Sequence, residues 1–214
     1  MTQYIAFLGA PGSGKGTQTA RLGEYLNLPR IATGELIRSH LATGTVLGNK
    51  ARKFVETGKL VPDSLINEIF EYEVTPELVK KGVIFDGYPR TVEQAEAFEK
   101  LFNHRSVRPK VFYLEVSKDA LLNRIQGRKT CLACNIVYHD TFNPPKTKDT
   151  CDRCGGKLVQ RDDDKAETVL NRYALFQETI APMERYFGND LIRINGDLSP
   201  ERVFEQIKVK LELR

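Results

Sequence analysis

A glycine-rich segment near the beginning of the chain, residues 9–17, has the sequence GAPGSGKGT and separates a predicted strand from a predicted helix. The apolar run Ile5–Leu8 predicts the strand, and the helix is predicted from Gly16 to Leu26. Glycines allow successive backbone N–H groups to point at phosphate oxygens, and the helix adds its partially positive N-terminus. The alternative, a plain glycine turn, does not account for the spacing and the lysine. The segment therefore predicts a phosphate-binding loop.

Within this loop, Lys15 is expected to place a mobile cation at the β and γ phosphates of a nucleotide. The general pattern has Ser or Thr directly after the lysine, where its hydroxyl binds Mg²⁺, but here Gly16 takes that place and Thr17 follows. This departure weakens the expectation of a hydroxyl ligand to the metal. The predicted phosphate-binding residues are Gly12, Ser13, Gly14, Lys15, Gly16 and Thr17.

Three further apolar runs, Val83–Phe85, Val111–Val116 and Leu191–Ile194, predict buried strands separated by helical patterns. Thr91–Asn103 is a predicted helix in which Thr91 and Gln94 can form a capping box, and a final helix is predicted after Ser199-Pro200. This alternation predicts an α/β fold with a parallel sheet covered by helices on both faces. A chain of 214 residues is long enough for one such core with small excursions.

Two segments interrupt the alternation. Residues 32–61 are helical, contain no obvious sheet strand and are punctuated by Gly44, Gly48 and Gly58. Residues 127–164 lose helical periodicity and gain Cys, Pro, Gly and Asp, which predicts a compact β-rich excursion. Both are interpreted as insertions at the edge of the sheet.

Composition excludes several classes of protein. The 32 basic and 28 acidic residues give a formal charge of +4, too small an excess to indicate nucleic acid as a partner. No apolar run approaches the roughly 18 residues of a membrane helix. The opening run Tyr4–Leu8 has no basic flank, which argues against a signal peptide. We therefore expect a cytoplasmic protein without nucleic-acid or membrane partners, whose cysteines serve metal or redox chemistry.

The four cysteines form two Cys-x-x-Cys pairs, Cys131 with Cys134 and Cys151 with Cys154, separated by residues 135–150. Each pair can supply two thiolates to a tetrahedral Zn²⁺, and a site with four thiolates has no open position for substrate. The pattern predicts a structural zinc site that stabilises a segment too small to bury its own core. A redox dithiol or two disulfides are the alternatives, and His139 is a fifth but redundant candidate ligand.

A second motif identifies the family that the chain resembles. Residues 83–90 read VIFDGYPR, with Gln94 four residues further on. Together with the loop variant Gly-Lys-Gly-Thr, this resembles the adenylate kinases and their nucleoside monophosphate kinase relatives over essentially the whole chain. The segment IVYH at 136–139, followed by NPP at 143–145, resembles the zinc-bearing lid of long-lid bacterial-type members.

The resemblance implies a five-stranded parallel sheet core formed by residues 1–31, 62–126 and 165–214. It also implies a monophosphate-binding insertion at 32–61 and a lid at 127–164. In this family Mg-ATP donates a phosphoryl group to AMP, giving two ADP. The resemblance places AMP at a set of residues from the core and the insertion: Thr33, Gly34, Arg38, Lys59, Leu60, Val61, Gly87, Arg90, Gln94, Arg161 and Arg172.

The chemistry of phosphoryl transfer gives Asp86 and Arg90 roles. A carboxylate at the end of a buried strand can hold Mg²⁺ or its waters, and a guanidinium offers a planar fork for phosphate. Read alone, Asp86 is a turn residue, Arg90 a surface cation and Thr33 a helix cap. The predicted catalytic set is Lys15, Asp86, Arg90, Arg124, Arg161 and Arg172, and the ATP set adds Arg124, Arg128, Val137, Tyr138 and Leu198 to the loop.

Four of these arginines flank the predicted lid. Arg124 and Arg128 are four residues apart on a helix predicted from Asp119 to Gly127, so they should share one face. Arg161 and Arg172 flank the other hinge, with three aspartates at 162–164. In one reading the arginines stabilise the migrating phosphoryl group. In the other, they are solvated and pair with the aspartates.

The sequence therefore predicts a monomeric adenylate kinase with ATP, AMP and ADP as partners, and with Mg²⁺ and structural Zn²⁺ as cofactors. Three alternatives stay open. These are a sister kinase for UMP, CMP or GMP (or with GTP as donor), a zinc-ribbon nucleic-acid-binding ATPase that stacks bases on Tyr138 and Phe142, and a non-catalytic nucleotide sensor.

Overall fold

The computed structural model describes residues 4–57, 60–102, 108–134, 136–160, 164 and 166–212. The strands within these residues are β1 (Tyr4–Gly9), β2 (Arg30–Ala32), β3 (Val83–Asp86), β4 (Lys110–Glu115), β5 (Arg128–Cys131), β6 (Val137–His139), β7 (Leu158–Val159) and β8 (Leu191–Asn195). Five of them form a central parallel sheet in the order β2-β3-β1-β4-β8. The other three form an antiparallel sheet in the order β6-β5-β7.

Helices cover the parallel sheet, as the alternating pattern predicts. Several begin at a hydroxyl N-cap: Thr45, Thr75, Thr91, Ser117 and Ser199 each accept a hydrogen bond from a backbone N–H of the first turn. The helices of the described residues are α1 (Lys15–Leu26), α2 (Thr33–Thr43), α3 (Val46–Glu56), α4 (Asp63–Glu73), α5 (Pro76–Lys81), α6 (Val92–Lys100), α7 (Lys118–Gln126), α8 (Ala166–Phe187) and α9 (Pro200–Lys210).

Strand β1 shows how the sheet separates two apolar cores. Tyr4, Ala6 and Leu8 belong to one cluster of buried side chains, and Ile5 and Phe7 belong to another. This follows from the two-residue period of a strand, because successive side chains point to opposite faces. Both faces of β1 are thus buried, which explains why its sequence is a continuous apolar run.

The five-stranded parallel sheet is confirmed, but the apolar runs identify only four of its strands. The fifth, β2, has three residues, begins with Arg30 and lies at the edge of the sheet. Gly48 does not punctuate a helix either: it lies inside α3, where a Cβ would be 2.0 Å from the carbonyl oxygen of His40. Glycine is needed there because α2 and α3 approach closely.

The second sheet forms the β-rich excursion that the sequence predicts. Its buried side chains, Cys131, Tyr138, Cys151 and Leu158, make a small cluster of their own. Among the described residues, no helix is both long enough and apolar enough to cross a membrane.

Candidate active site

The phosphate-binding loop connects the end of β1 to the start of α1 at the carboxyl edge of the sheet. Gly12 and Gly14 have φ angles of 83° and 94°, which side chains other than glycine rarely adopt. A Cβ on Gly12 would also be 2.5 Å from Cδ1 of Ile125, so the loop packs tightly against α7. Gly14 caps α1 without a side-chain hydrogen bond. Because Gly14 offers no side chain to the amides of the first turn, they are suited to an anion.

Lys15 folds back over this loop. Its Nζ donates hydrogen bonds to the carbonyl oxygens of Gly9 at 2.5 Å and Ala10 at 2.8 Å. The Ser13 hydroxyl is 3.4 Å away. The ammonium group thus satisfies the loop's own acceptors at the place where nucleotide phosphates are expected.

The electrostatic surroundings of Lys15 show which charges the fold brings together. Burial lowers the pKa of Lys15 to about 7, against the opposing effect of the Asp86 carboxylate. Nearby positive charges lower this pKa further, and they come from Arg90, Arg172 and Arg128. The pKa of Arg90 is lowered in turn by burial and by Arg172. Positive charges from four separate parts of the chain therefore act at the loop, and such a group of like charges favours an anion close by.

Asp86 ends β3, beside the first turn of α1. Its Oδ2 accepts hydrogen bonds from the Thr19 hydroxyl at 3.1 Å and from Nη1 of Arg30 at 2.9 Å. Among the described residues, none donates a hydrogen bond to Oδ1. A Cβ on Gly16 would lie 3.4 Å from Oδ2, so the residue after the lysine lies next to this carboxylate. Neither Thr19 nor Arg30 belongs to a recognisable motif, so the sequence alone does not mark them.

Gly87 and Arg90 form a compact turn after β3. The Arg90 Nε donates to the carbonyl oxygen of Gly87 at 2.7 Å. Gly87 has a φ angle of 73°, and a Cβ there would be 2.9 Å from Nη2 of Arg90. The glycine thus leaves room for the guanidinium, and Arg90 is held against the turn although its side chain is exposed to solvent.

Gln94 is buried, and both ends of its amide have partners. Oε1 accepts from the backbone N–H of Arg90 at 2.8 Å, and Nε2 donates to Oδ1 of Asp63 at 2.6 Å. The predicted capping box is therefore only half correct: the Thr91 hydroxyl accepts from the Gln94 N–H, but the Gln94 side chain bonds one residue further back, to Arg90. The amide keeps one donor and one acceptor position for a ligand. Asp63 carries no sequence signal that could have identified it.

The residues of the 32–61 insertion that are predicted to bind AMP lie, as far as the structure describes them, in α2 and just before α4. Thr33 is not the helix cap; Ala32 has that position, and the Thr33 hydroxyl donates to the carbonyl oxygen of Gly87 at 2.8 Å. A Cβ on Gly34 would be 3.2 Å from Nη1 of Arg38. Leu60 is exposed and Val61 packs against the core, whereas Lys59 lies outside the described residues.

Arg124 reaches from α7 to two loops of the core. It donates to the carbonyl oxygens of Ser13 at 3.2 Å, Gly196 at 2.6 Å and Leu198 at 3.3 Å, and burial lowers its pKa. The prediction that Arg128 shares a helix face with it is wrong. The helix α7 ends at Gln126, and Arg128 begins β5. The reason is Gly127, which follows as the C-cap and turns the chain into the lid.

Arg128 instead pairs with Asp164, as the alternative reading of the hinge arginines predicts. Its Nε donates to Oδ2 of Asp164 at 2.8 Å, and Nη2 donates to Oδ1. Arg172 lies on α8 and its charge acts on Lys15 and Arg90. Arg161 lies outside the described residues.

The lid residues predicted to contact ATP differ in accessibility. Val137 is exposed, but the Tyr138 ring is buried, and its hydroxyl accepts from the Asp152 N–H at 2.8 Å and lies 3.6 Å from the Cys151 sulfur. A contact between Tyr138 and a ligand would therefore use its backbone. Phe142 is exposed and packs on His139, with 4.4 Å between the ring centroids. One of the two aromatics required for base stacking is thus unavailable.

The four cysteine sulfurs meet in one cluster, all within 4.8 Å of one another. The Cys131 and Cys154 sulfurs are 3.5 Å apart, and those of Cys134 and Cys151 are 3.6 Å apart. These distances are too long for disulfides. They match the spacing of about 3.8 Å that follows from tetrahedral Zn–S bonds of ~2.3 Å. Backbone N–H groups of Cys134 and Ala133 lower the pKa of Cys131, which favours the thiolate. The donor set fits Zn²⁺.

Comparison of the sequence with known proteins identifies the family to which it is similar. The profile of the family described as "Adenylate kinase" matches residues 7–191. The adenylate kinase of Caldanaerobacter subterraneus subsp. tengcongensis is 39% identical over 210 residues, covering 97% of this chain and 95% of that protein. The adenylate kinase of Methanocella arvoryzae is 39% identical over 212 residues, with 98% of each chain covered. That of Archaeoglobus fulgidus is 39% identical over 211 residues, covering 97% of each.

Proposed function

The chain belongs to the adenylate kinase family and is a phosphotransferase that acts on ATP and AMP, and we propose how its residues divide this reaction between them. The observation that carries the proposal is the glycine loop with Lys15 Nζ held over its carbonyl oxygens, where the charges of Arg90, Arg128 and Arg172 also act on Lys15. Two nucleotides placed with their phosphates facing each other bring several negative charges to one point. A group of cations from separate elements is what such a pair requires.

On the donor side, the amides of the loop and of the first turn of α1 bind the ATP phosphates. Lys15 leaves the carbonyl oxygens of Gly9 and Ala10 and takes a phosphate oxygen as its partner. Arg124, which is held beside Ser13, supports the same phosphates. Arg128 and the backbone of Val137 and Tyr138 approach the nucleotide from the lid, and Leu198 does so from the core.

On the acceptor side, Arg90 and Arg172 hold the AMP phosphate in line with the transferred group, with Arg161 as a third cation. Gln94 presents its remaining donor and acceptor to the adenine edge, and the nucleoside lies against Thr33, Gly34, Arg38 and residues 59–61. The attacking atom is a phosphate oxygen that is already ionised near neutral pH. No general base is therefore needed.

Mg²⁺ accompanies ATP, and the carboxylate of Asp86 fits it because no described residue donates a hydrogen bond to its Oδ1. Thr17, exposed in the first turn of α1, offers a hydroxyl one residue later than usual. Held there, Mg²⁺ would supply the neutralisation of phosphate charge that phosphoryl transfer requires. We assign Zn²⁺ to Cys131, Cys134, Cys151 and Cys154, where it stabilises the lid and takes no part in the reaction.

We further propose that residues 32–61 present AMP and that residues 127–164 close over ATP, with residues 1–31, 62–126 and 165–214 as the fixed core. Closure excludes water that would otherwise hydrolyse ATP. We also propose, as the sequence predicts, that the protein acts as a monomer in the cytoplasm.

The decisive experiment is a coupled assay of ADP formation with each nucleoside monophosphate as acceptor and with ATP or GTP as donor. We expect AMP with ATP to give the highest kcat/KM. Preference for UMP, CMP or GMP would assign the chain to a sister activity. Two adenosines joined through five phosphates should bind far more tightly than ATP, because they fill both sites. Binding no tighter than ATP would contradict the two-site arrangement.

A further inference from the structure

Arg30 occupies an unusual place for a charged residue, at the start of the edge strand β2 and beside the carboxyl end of β3. In the parallel register, Ala32 of β2 lies opposite Asp86. Arg30 precedes Ala32 by two residues, so both side chains are on the same face of the sheet as the Asp86 carboxylate. The side chain of Arg30 is largely buried, 23% exposed, and reaches along this face.

The two ends of the Arg30 guanidinium bind two different carboxylates. Nη1 donates to Oδ2 of Asp86 at 2.9 Å, and Nη2 donates to Oε1 of Glu35 at 2.5 Å. Glu35 lies in the first turn of α2, the helix that also carries Thr33 and Arg38. Arginine suits this bridge because its planar fork can hold two acceptors at once, whereas the lysine ammonium is a single point charge.

We propose that Arg30 is a positioning residue for phosphoryl transfer, which ties the Asp86 carboxylate to helix α2 through Glu35. This inference rests on the role proposed above for Asp86. Arg30 and Thr19 together hold Oδ2, so the carboxylate keeps one orientation beside Gly16, and Oδ1 has no hydrogen-bond donor among the described residues. Glu35 makes that orientation depend on the position of α2, and the acceptor arm is thereby linked to the metal-binding carboxylate.

The test uses Arg30→Met, which keeps the length of the side chain but removes its charge and donors, and Glu35→Gln, which removes only the charge at the other end. Arg193→Met is the matched control. Arg193 also bridges two carboxylates, Glu184 at 2.7 Å and Glu115 at 3.6 Å, but on β8 at the opposite edge of the sheet.

Binding of AMP is measured by calorimetry without ATP or metal, and turnover is measured at saturating substrates. Glu35→Gln should weaken AMP binding roughly threefold to fivefold, the size expected for a partly exposed ion pair, and leave kcat within about twofold. Arg30→Met should weaken AMP binding to the same degree and also lower kcat about tenfold, because Asp86 loses its orientation. In the double variant, the loss of AMP affinity should not exceed that of Arg30→Met, since the two residues act as one unit. Arg30→Lys should recover part of kcat but not the coupling to Glu35.

Two outcomes separate this inference from the proposed function. If Asp86→Asn retains near-normal turnover, the role of Asp86 is wrong and the inference fails with it. If Asp86→Asn is inactive but Arg30→Met keeps both kcat and AMP affinity within twofold of Arg193→Met, only the inference is overturned. A loss of unfolding stability in Arg30→Met with unchanged kcat and AMP affinity overturns it as well, since Arg30 is then merely structural.

Discussion

Arg128, the first residue of the lid sheet, is paired with Asp164, whose side chain is fully buried at the far end of the lid segment. The pair joins the two places where the predicted lid meets the core. Because a buried carboxylate without a cation is costly, the pair also links the stability of this region to a residue proposed to contact ATP.

We therefore expect Arg128→Met to lower the free energy of unfolding by about 2–3 kcal/mol, because Asp164 is left buried and unpaired. Asp164→Asn should cost less, since asparagine still offers an oxygen to Arg128. Urea denaturation of both variants measures the difference. Losses of less than about 0.5 kcal/mol in both would show that the pair is solvated and unimportant for stability.

Arg90→Ala should reduce kcat by about a thousandfold, and Arg124→Ala should do the same, because each removes a cation proposed to stabilise the phosphates. The variants should stay folded, as judged by circular dichroism and by the binding of a nucleotide to the site that the substitution leaves unchanged. Arg108→Ala is the control, since Arg108 is 93% exposed and only loosely paired with Asp190. Near-normal turnover in either variant would refute the role of that arginine.

The purified protein should contain one zinc ion per chain. Removing it with a strong chelator should lower Tm by at least about 5 °C, because the lid has only a small apolar cluster besides the metal. Cys151→Ser should bind zinc more weakly and show a similar loss. Absence of zinc, or a Tm unchanged by the chelator, would contradict a structural metal site. Neither outcome would bear on the assignment of the chain as a kinase.

Lys15 predicts a pH dependence of nucleotide binding. Its pKa in the nucleotide-free protein is about 7, well below the ordinary value of 10.5. At pH 8 most Lys15 side chains are neutral, and the phosphates of ATP restore the charge. Binding of ATP at pH 8 should therefore take up roughly 0.9 proton, and the apparent affinity should fall as pH rises above 7. Calorimetry in buffers of different ionisation enthalpy measures the uptake.

Lys15→Arg is the matched control for this effect, because a guanidinium stays protonated at pH 8. It should bind ATP with little proton uptake. Proton uptake below about 0.2 in the unmodified protein would contradict a neutral Lys15.

The lowered pKa of Lys15 also has a consequence for folding. The unfolded chain binds the Lys15 proton up to about pH 10.5, whereas the folded chain loses it near pH 7. The contribution of Lys15 to the free energy of unfolding therefore increases with pH between these values.

The buried strands could be predicted because helices cover both of their faces. Side chains on both faces are therefore apolar, and the sequence of each strand is a continuous apolar run. Strand β2 could not be predicted in this way. It is an edge strand of three residues whose first side chain, Arg30, is stabilised by Asp86, a partner 56 residues away in the chain. Such a strand carries no local signal.

The functional residues likewise divide into those that a local sequence signal marks and those that none marks. The loop, Asp86, Arg90 and the cysteines belong to motifs whose spacing encodes their chemistry. Thr19, Arg30 and Asp63 act through side chains that the fold brings together, and nothing in their immediate sequence marks them. The error over Arg128 has a local cause. Gly127 ends the helix between Arg124 and Arg128, so a spacing of four residues does not place the two on one helix face.

The separate cluster formed by Cys131, Tyr138, Cys151 and Leu158 has a consequence for the evolution of this protein. Among the described residues, it shares no member with the two large cores on the faces of the parallel sheet. Substitutions within this cluster should therefore leave the packing of both large cores unchanged. Selection can act on the buried side chains of the lid separately from those of the cores beside the parallel sheet.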